Sequence, residues 1–521
     1  MAPTRSLDVE LILLATPSAR LTSSNKLRHA AAQHRSLHKP PRLPFFAYGT
    51  QDHKPCLCNC SNTSGKEAPE GLISDCGEKC VYLQAKVKTM RHFISAVIVT
   101  ALCLVGTAQE VFAQNVVHPS VGAGFRADSI EVRFIGRKQH FNSRETRTLD
   151  RLIKSPKSVN IHPSGSKFYV NSLEGGTTLV YDFNTRERIA YIEHSFAAKD
   201  SALWAPDSGL FPWSWNPKEK NTFWGKPVES TFSHGGRYLW IPYYRRSYDL
   251  NAQDPSAVAV IDTRADTIVR MFETGVLPKM VATSPDGKLI AISHWGENTV
   301  GIMDISSDNM EDWHYVACHI VDYRLKLKLS RTTAVDRDAN SGYCLRGTVF
   351  TPDNHYLLVG CMGGGGGIAV IDLENEKYLG RVMGAKPNLR HLVIQDGWLY
   401  LSINASGYIQ RTRLDDFLAV ATTLTGEGTV KYDKWESCKV PAGARTLVLS
   451  PDGRYAFAAC NYASCLSVVD TRTMKLVGTV PADSYPVGLD ISADGKYLIM
   501  TSQGRSGHGG NAVDMFEVTY K

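Results

Sequence analysis

Five basic residues recur at one place in the sequence, at the start of a short apolar segment that runs into a tight turn: Lys157, Lys279, Arg346, Arg390 and Arg445. Ammonium groups and guanidinium forks bind carboxylate, phosphate or sulfate, so such a set could form an anion-binding site. Cations held close together repel one another unless solvent, a carboxylate or a bound anion offsets the charge. A ligand is therefore one interpretation, and an opening filled by chloride or water is the other. Both require a fold that gathers the five residues.

The segments that contain these residues are copies of one repeat. Each copy is a strand, a tight turn and a strand, as in "LPKMVATSPDGKLIAISH", where apolar positions alternate on either side of Asp286-Gly287. Copies begin near residues 156, 228, 277, 345, 389, 444 and 486, and a third strand that ends near an acidic residue follows each one. Turn centres lie 43 residues apart from Asn354 to Gly397 and 42 apart from Gly453 to Gly495, which is the period of a propeller blade.

Seven four-stranded units of this kind predict an all-β fold, a seven-bladed β-propeller, because one such sheet buries little surface until neighbours pack against it. The last copy ends in "DMFEVTYK" without a fourth strand. We expect the segment "IEVRFIG", residues 130–136, to supply that strand and close the ring, which would remove an exposed edge. The position of the five cations falls at the mouth of the central channel, and Glu229 and Val487 occupy it in the other two copies.

The repeats "SPDGKLIAISHWGENTVGIMDI" and "SPDGRYAFAACNYASCLSVVDTRTMKLVGTV" resemble the YVTN-type (Tyr-Val-Thr-Asn) β-propeller repeat family over nearly all of residues 150–521. The WD40 signature does not recur at the blade period. The resemblance implies a propeller in an extracytoplasmic setting and no single activity, since propellers include binding proteins, lactonases and redox enzymes.

Long connections are expected on one rim only. Strand two-to-three loops and blade-to-blade crossings share that rim, and the other loops look short throughout. We assign to the elaborated rim the insertions between blades one and two, inside blade two, between blades three and four, and "TGEGTVKYDKWESCKV" between blades five and six. Long loops on a rigid scaffold are common sites of function, so we expect the binding site there.

Strand two-to-three loops add polar and aromatic candidates at this rim: His294, Trp295, Tyr243, Tyr244, Asn404, Tyr462 and Arg505. Aromatic faces beside cations suit sugars, peptides or stacked bases. The first insertion also holds Trp204, Trp213, Trp215 and Trp224, which could form a binding platform; we favour a hydrophobic plug that lets the loop pack.

The segment before the repeats predicts export. From Met90 the chain has two basic residues, an apolar block from Phe93 to Val105 and a small-residue cleavage pattern ending at Ala113, which is typical of a secretory signal peptide. We therefore predict three parts: residues 1–89, a leader or mis-assigned start; residues 90–113, the signal; and residues 114–521, a propeller without a membrane span, periplasmic or secreted.

Charge and cysteine content fit this division. Residues 1–113 hold 13 of the 58 Lys and Arg and 8 of the 51 Asp and Glu, which leaves 45 against 43, so no general attraction to nucleic acid is expected. Six cysteines follow residue 113, and an even number in an exported chain suggests disulfides. Cys460 with Cys465 and Cys318 with Cys344 are two possible pairs among fifteen pairings.

The sequence thus predicts an exported propeller that binds an anionic small molecule, glycan or peptide at its elaborated rim, with an envelope protein as a possible partner. We expect no metal and no cofactor, because the histidines do not repeat at equivalent blade positions and no Cys-x-x-Cys-His motif is present. A lactonase-like hydrolase with His294, His391 or Glu229 as base and a protein-interaction scaffold stay open as alternatives.

Overall fold

Seven small antiparallel sheets form the bulk of the structure, a computed structural model that describes residues 119–141, 148–212, 220–337, 339–426, 428–505 and 509–521. Each sheet contacts the next one along the chain, and the seventh contacts the first, so the sheets form a closed ring. The predicted all-β, seven-bladed propeller of four-stranded blades is confirmed.

The strands of the first three blades have the following bounds. Two strands precede blade one: β1 (Gly124–Arg126) and β2 (Ile130–Gln139). Blade one contains β3 (Pro156–Ile161), β4 (Lys167–Ser172), β5 (Thr177–Asp182) and β6 (Arg188–Glu193). Blade two contains β7 (Ser195–Phe196), β8 (Phe223–Pro227), β9 (Thr231–Ser233), β10 (Tyr238–Arg246), β11 (Pro255–Asp262) and β12 (Thr267–Val276). Blade three contains β13 (Pro278–Thr283), β14 (Leu289–His294), β15 (Thr299–Asp304) and β16 (His314–Ile320).

The remaining blades complete the ring. Blade four contains β17 (Leu345–Phe350), β18 (Tyr356–Cys361), β19 (Ile368–Asp372), β20 (Lys377–Met383) and the parallel addition β24 (Thr429–Lys431). Blade five contains β21 (Leu389–Gln395), β22 (Trp398–Ile403), β23 (Tyr408–Arg413) and β25 (Glu436–Lys439). Blade six contains β26 (Ala444–Leu449), β27 (Tyr455–Cys460), β28 (Cys465–Asp470) and β29 (Lys475–Pro481), and blade seven contains β30 (Pro486–Ile491), β31 (Tyr497–Ser502) and β32 (Ala512–Tyr520). The helices are α1 (Leu414–Ala421) and the 3-10 helices Ala198–Leu203, His234–Gly236 and Met310–Asp312.

The turn between the first two strands of a blade is stabilised by its own side chains. In blade three, Ser284 Oγ donates to Asp286 Oδ1 at 2.7 Å, and the same carboxylate oxygen accepts from the backbone N–H of Lys288 at 3.1 Å. Gly287 adopts φ +75°, which a residue with a Cβ rarely does. Blades four, six and seven repeat the pattern with Asp353, Asp452 and Asp494. The rim that carries these turns is called the lower rim below.

The ring closes as the sequence predicts. Strand β2 pairs antiparallel with β32 from Ile130 opposite Tyr520 to Gln139 opposite Ala512, so the N-terminal strand is the fourth strand of blade seven. Inside this seam, Arg137 Nε donates to Asp514 Oδ1 at 2.5 Å and its Nη1 lies 3.2 Å from Asp483. Both carboxylates are buried, so closure joins distant parts of the chain by charge as well as by strand pairing.

One assignment of insertions was wrong. The segment "TGEGTVKYDKWESCKV" does not cross from blade five to blade six, because β25 within it is the fourth strand of blade five. It belongs to the connection between β23 and β25, which also contains α1, so the loops of the lower rim are not short throughout. Helix α1 buries Leu414, Phe417 and Ala421 against blades four and five. None of the helices in the described ranges combines the length and apolarity that crossing a bilayer requires.

Candidate functional site

The five predicted cations occupy one equivalent position. Each is the second residue of the innermost strand of its blade, and the strand ladder to the next strand is irregular at that point: Lys157 in β3, Lys279 in β13, Arg346 in β17, Arg390 in β21 and Arg445 in β26. A bulge of this kind changes the direction of a side chain relative to the regular strand.

Charges from blades that are not neighbours meet at this end of the channel. Arg346 Nη2 of blade four donates to Glu229 Oε1 of blade two at 2.7 Å, a contact that skips the blade between them. Lys157 of blade one lies in electrostatic range of Arg346, Arg445, Lys279 and Glu229. The six residues Lys157, Glu229, Lys279, Arg346, Arg390 and Arg445 are called the mouth cluster below.

The mouth cluster is shielded from bulk water and rich in positive charge. Exposed fractions are 8% for Lys157 and Lys279, 3% for Arg346 and 2% for Arg445. Burial, then Arg445, Arg346 and Lys279, lower the pKa of Lys157 well below its ordinary value, and Glu229 opposes them only in part. Burial alone would raise the pKa of Glu229, but Arg346, Lys157 and Arg445 hold it below its usual range. One carboxylate of the cluster thus faces several cations.

Lys279 is stabilised by aromatic faces. Its Nζ lies 4.3 Å from the ring centroid of Tyr244 and 4.9 Å from that of Trp295, distances at which a ring attracts a cation. Tyr244 and Trp295 belong to a small apolar cluster with Leu277 and Cys344. The two predicted aromatic residues are therefore brought to the mouth and support the cation there.

Arg390 and His391 complete the wall contributed by blade five. Arg390 Nη1 donates to Met362 Sδ at 2.8 Å, so this guanidinium also contacts blade four. His391 Nδ1 lies 3.0 Å from the Leu447 carbonyl oxygen, and burial, with a further contribution from Arg346, lowers its pKa to about 4. His391 is thus a neutral side chain at pH 7 beside Glu229.

Two predicted rim residues are not brought to the mouth. His294 is fully buried at the end of β14, where its ring nitrogens lie 2.7 Å from Thr274 Oγ1 and 2.8 Å from Thr299 Oγ1, and burial lowers its pKa to about 3. Tyr243 is buried because β10 continues to Arg246, so the residue lies in a strand and not in a loop. Its hydroxyl lies 2.8 Å from His194 Nδ1. Both side chains pack inside the blades.

The last predicted rim residues lie between blades five and seven. Asn404 is buried and donates from Nδ2 to the Asn461 Oδ1 at 3.2 Å, which joins two loops. Tyr462 is 44% exposed, and the guanidinium of Arg505 lies 5.4 Å from its ring centroid and 5.9 Å from that of Tyr485. The sequence analysis missed Tyr485, although its place immediately before β30 at the same rim could have indicated it.

Two insertions are tied together over blade three. The amide of Asn251, in the blade-two insertion, donates to the carbonyls of Ser330 at 2.6 Å and Thr333 at 2.8 Å. Arg337, in the insertion between blades three and four, donates to the carbonyls of Asn251 and Ala252. The loops therefore form one packed cover next to the apolar cluster that holds Trp295.

The tryptophans of the first insertion differ in their surroundings. Trp204 packs against Phe223 with ring centroids 6.2 Å apart and lies under the guanidinium of Arg246, as the plug interpretation expects. Trp224 is 69% exposed. Trp213, Trp215, the leader, the signal and its cysteines lie outside the described residues.

The six cysteines after residue 113 are not joined by disulfides in the structure. Cys460 and Cys465 lie directly opposite each other on β27 and β28, so their disulfide stays a prediction with suitable register. Cys318 accepts a hydrogen bond from Arg324 Nη2 at 3.3 Å, and Cys344 is buried elsewhere, in the cluster with Trp295. In the described ranges no group of three or more His, Cys, Asp or Glu side chains could hold a metal ion.

Comparisons with known proteins give distant similarities only. No family model matches the chain, so membership of the YVTN-type family stays a prediction. Antigen Lp49 of Leptospira interrogans is 22% identical over 250 residues, which are 44% of this chain and 46% of that protein. The chain thus spans about half the length of this curated relative.

Two solved structures are similar over most of the described chain. Hydrazine synthase of Kuenenia stuttgartiensis has a TM-score of 0.49 at 13% identity and covers 73% of this chain and 99% of its own. The Cps50 (Swd1) β-propeller domain of Myceliophteria thermophila has a TM-score of 0.46 at 13% identity and covers 70% and 97%. The strand pairing described above establishes the fold. These similarities assign no function to the chain.

Proposed function

We propose that this chain is an exported β-propeller that binds an anionic ligand at the mouth of its central channel. The observation that supports the proposal is the mouth cluster, in which Lys157, Arg346 and Arg445 from three blades lie around Glu229 and Lys279 from a fourth lies near Lys157. Like charges in a partly dry site are costly, and an anion that enters would relieve this cost. A β-propeller is a general scaffold for ligand binding or interaction, and the cluster makes the proposal specific.

The composition of the mouth favours a ligand with both charge and a flat or polar body. Arginine forks bind carboxylate, phosphate or sulfate through paired hydrogen bonds. Tyr244 and Trp295 lie beside Lys279, and Tyr462, Tyr485 and Arg505 lie exposed on the same rim. A phosphorylated metabolite, an acidic glycan or the carboxylate of a peptide fits this set.

Export is part of the proposal. The segment from Met90 to Ala113 has the basic start, apolar block and small-residue end of a signal peptide. N-terminal peptide mass spectrometry of the exported protein should find a chain that begins near Gln114. A mature chain that retains the apolar block would contradict this part of the proposal.

The two alternatives have less support. A hydrolase needs a base in the mouth, but His294 is buried within blade three. His391 and Glu229 are weakened bases, because burial lowers the pKa of His391 to about 4 and Arg346 lowers the pKa of Glu229. A pure interaction scaffold does not explain why the cations converge in the channel and not on an outer face.

A titration with matched variants tests the proposal. Isothermal titration calorimetry at low ionic strength would use inorganic phosphate and citrate as probes on the full chain. In the double variant Lys157→Met with Arg445→Met we expect affinity to fall at least about tenfold, which is about 1.4 kcal/mol of binding free energy.

The control changes the same residue types at the lower rim. Lys288 and Arg472 lie there with side chains 65% and 63% exposed, so Lys288→Met with Arg472→Met removes the same net charge away from the channel. This variant should bind as the wild type does. Equal loss in both double variants would mean that net charge alone attracts the probes, and unchanged binding in the mouth variant would reject the site.

A further inference from the structure

Lys157 differs from the other cations of the mouth cluster in its surroundings. It is 8% exposed, stands in the bulge of β3, and its Nζ has neither a hydrogen bond nor an ion pair among the described residues. Lys279, at the equivalent position of blade three, lies against the faces of Tyr244 and Trp295. An aromatic face stabilises an ammonium ion, whereas in the described part of the chain no aromatic ring lies over the ammonium of Lys157.

The neighbours of Lys157 favour a neutral amine. Burial and the charges of Arg445, Arg346 and Lys279 lower its pKa, and Glu229 is the group that opposes them. An ordinary lysine with a pKa of about 10.4 is neutral in only about one molecule in 2,500 at pH 7. Desolvation and neighbouring cations are the two means by which proteins convert a lysine into a nucleophile.

We propose that Lys157 forms an imine with the carbonyl carbon of an anionic aldehyde or 2-oxo acid whose carboxylate is held by Arg346 and Arg445. The inference rests on the proposed function, since the same cations that accept the anion would place its carbonyl next to the amine. It narrows the ligand class from anions in general to anions that contain a reactive carbonyl.

The reaction balances without a cofactor. The lone pair of Nζ forms the C–N bond while the π pair of the carbonyl moves to oxygen, which gives a carbinolamine after one proton shifts from nitrogen to oxygen. The hydroxyl then takes up a proton from solvent and leaves as water, and the nitrogen lone pair forms the C=N bond of the protonated imine. Loss of one proton gives the neutral imine, so one water is the only product besides the adduct.

Reductive trapping on the full chain tests the inference. Glyoxylate or pyruvate is added at pH 7 with sodium cyanoborohydride, which delivers a hydride to the imine carbon and makes the bond permanent. Peptide mass spectrometry should then locate the added mass on Lys157, with Lys279 unmodified. Excess phosphate should slow the labelling, and the neutral carbonyl compound propanal should label Lys157 more slowly than glyoxylate does.

Two variants identify the source of the signal. Lys157→Met should reduce labelling to the level of exposed lysines, and Lys288→Met, at the lower rim, should keep a strong label on Lys157. Urea unfolding of both variants establishes that each is folded.

The outcomes separate this inference from the proposed function. Phosphate or oxalate binding by calorimetry together with an unlabelled Lys157 would overturn the imine and leave the anion site intact. A label spread over exposed lysines such as Lys288, or equal labelling by propanal and glyoxylate, would also overturn it. Absence of binding by every anionic probe would overturn the proposed function itself.

Discussion

The two rims of the propeller differ in where their carboxylates find partners. At the lower rim, Asp286, Asp353 and Asp494 accept hydrogen bonds mainly from their own turns, which contribute to holding the pKa of each carboxyl below its usual value. At the mouth, the carboxylate of Glu229 in blade two interacts electrostatically with cations of blades one, four and six. The carboxylates of these three turns are satisfied within five residues of sequence, and charge at the mouth is shared across the ring.

Charge repulsion therefore opposes folding at the mouth and not at the turns of the lower rim. A turn such as Ser284 to Lys288 makes its contacts whether or not the ring closes. The cations of the mouth cluster meet only when the blades assemble, so their repulsion opposes folding and must be offset by strand pairing and packing. Locally unfavourable arrangements of this kind, which the rest of the fold must offset, cluster at functional sites.

The largest effect is expected from Glu229→Gln. Removing the carboxylate leaves buried cations without their shared partner, and breaking such a set should reduce the free energy of unfolding by about 3 kcal/mol. Urea unfolding measures this loss, and added phosphate should restore part of it because an anion can replace the carboxylate.

Asp286→Asn is the matched change at the lower rim. It removes one charge from a turn that solvent reaches, so we expect a loss of about 1 kcal/mol that phosphate does not restore. If Glu229→Gln is as mild as Asp286→Asn, or insensitive to phosphate, the contrast between the rims is wrong.

Local and periodic features were predictable from sequence. The repeat fixes which residue comes second in each innermost strand, so Lys157, Lys279 and Arg346 could be placed together before any coordinates. The missing strand of blade seven and its replacement by residues 130–136 followed from the need to cover an edge, and the observed strand continues to Gln139.

Contacts that do not recur from blade to blade were not predictable from the sequence. The bond from Arg346 to Glu229 depends on the diameter of the ring, and the sequence indicated Glu229 only as an exception to the pattern and as a possible base. The extension of β10, which buries Tyr243, depends on β8 from a distant insertion. Helix α1 lies in a connection whose length gave no indication of the rim to which it belongs.

An intermediate effect is expected from pH. Because the pKa of Lys157 is lowered in the folded state, the unfolded chain binds more protons between that lowered value and about 10.4, so stability rises with pH in this window. The contribution is at most about 1.4 kcal/mol per pH unit for one proton. Glu229 adds no slope there, because its lowered pKa keeps it charged throughout.

The measurement is the difference in unfolding free energy between wild type and Lys157→Met from pH 7 to pH 10. Wild type should gain stability relative to the variant as pH rises, and Lys157→Met should be the more stable protein at pH 7. Lys288→Met, at the lower rim, should show neither trend. A wild type that loses stability relative to Lys157→Met over this range would mean that the Lys157 ammonium is stabilised by its surroundings.

The smallest effect concerns additivity, and it compares the rims most directly. Ser450 and Ser284 each hold a turn of the lower rim, through Oγ to Asp452 and to Asp286. Ser450→Ala and Ser284→Ala should each reduce the unfolding free energy by about 1 kcal/mol, and the double variant should equal their sum within about 0.5 kcal/mol because the turns share no partner.

The effects of Lys157→Met and Arg445→Met on the unfolding free energy should not be additive, since each change removes part of the repulsion that the other would remove. A coupling of about 1 kcal/mol is expected for residues in one charge network. Additive changes at the mouth would mean that the two cations act separately, and the shared positive potential on which the binding site depends would then be absent.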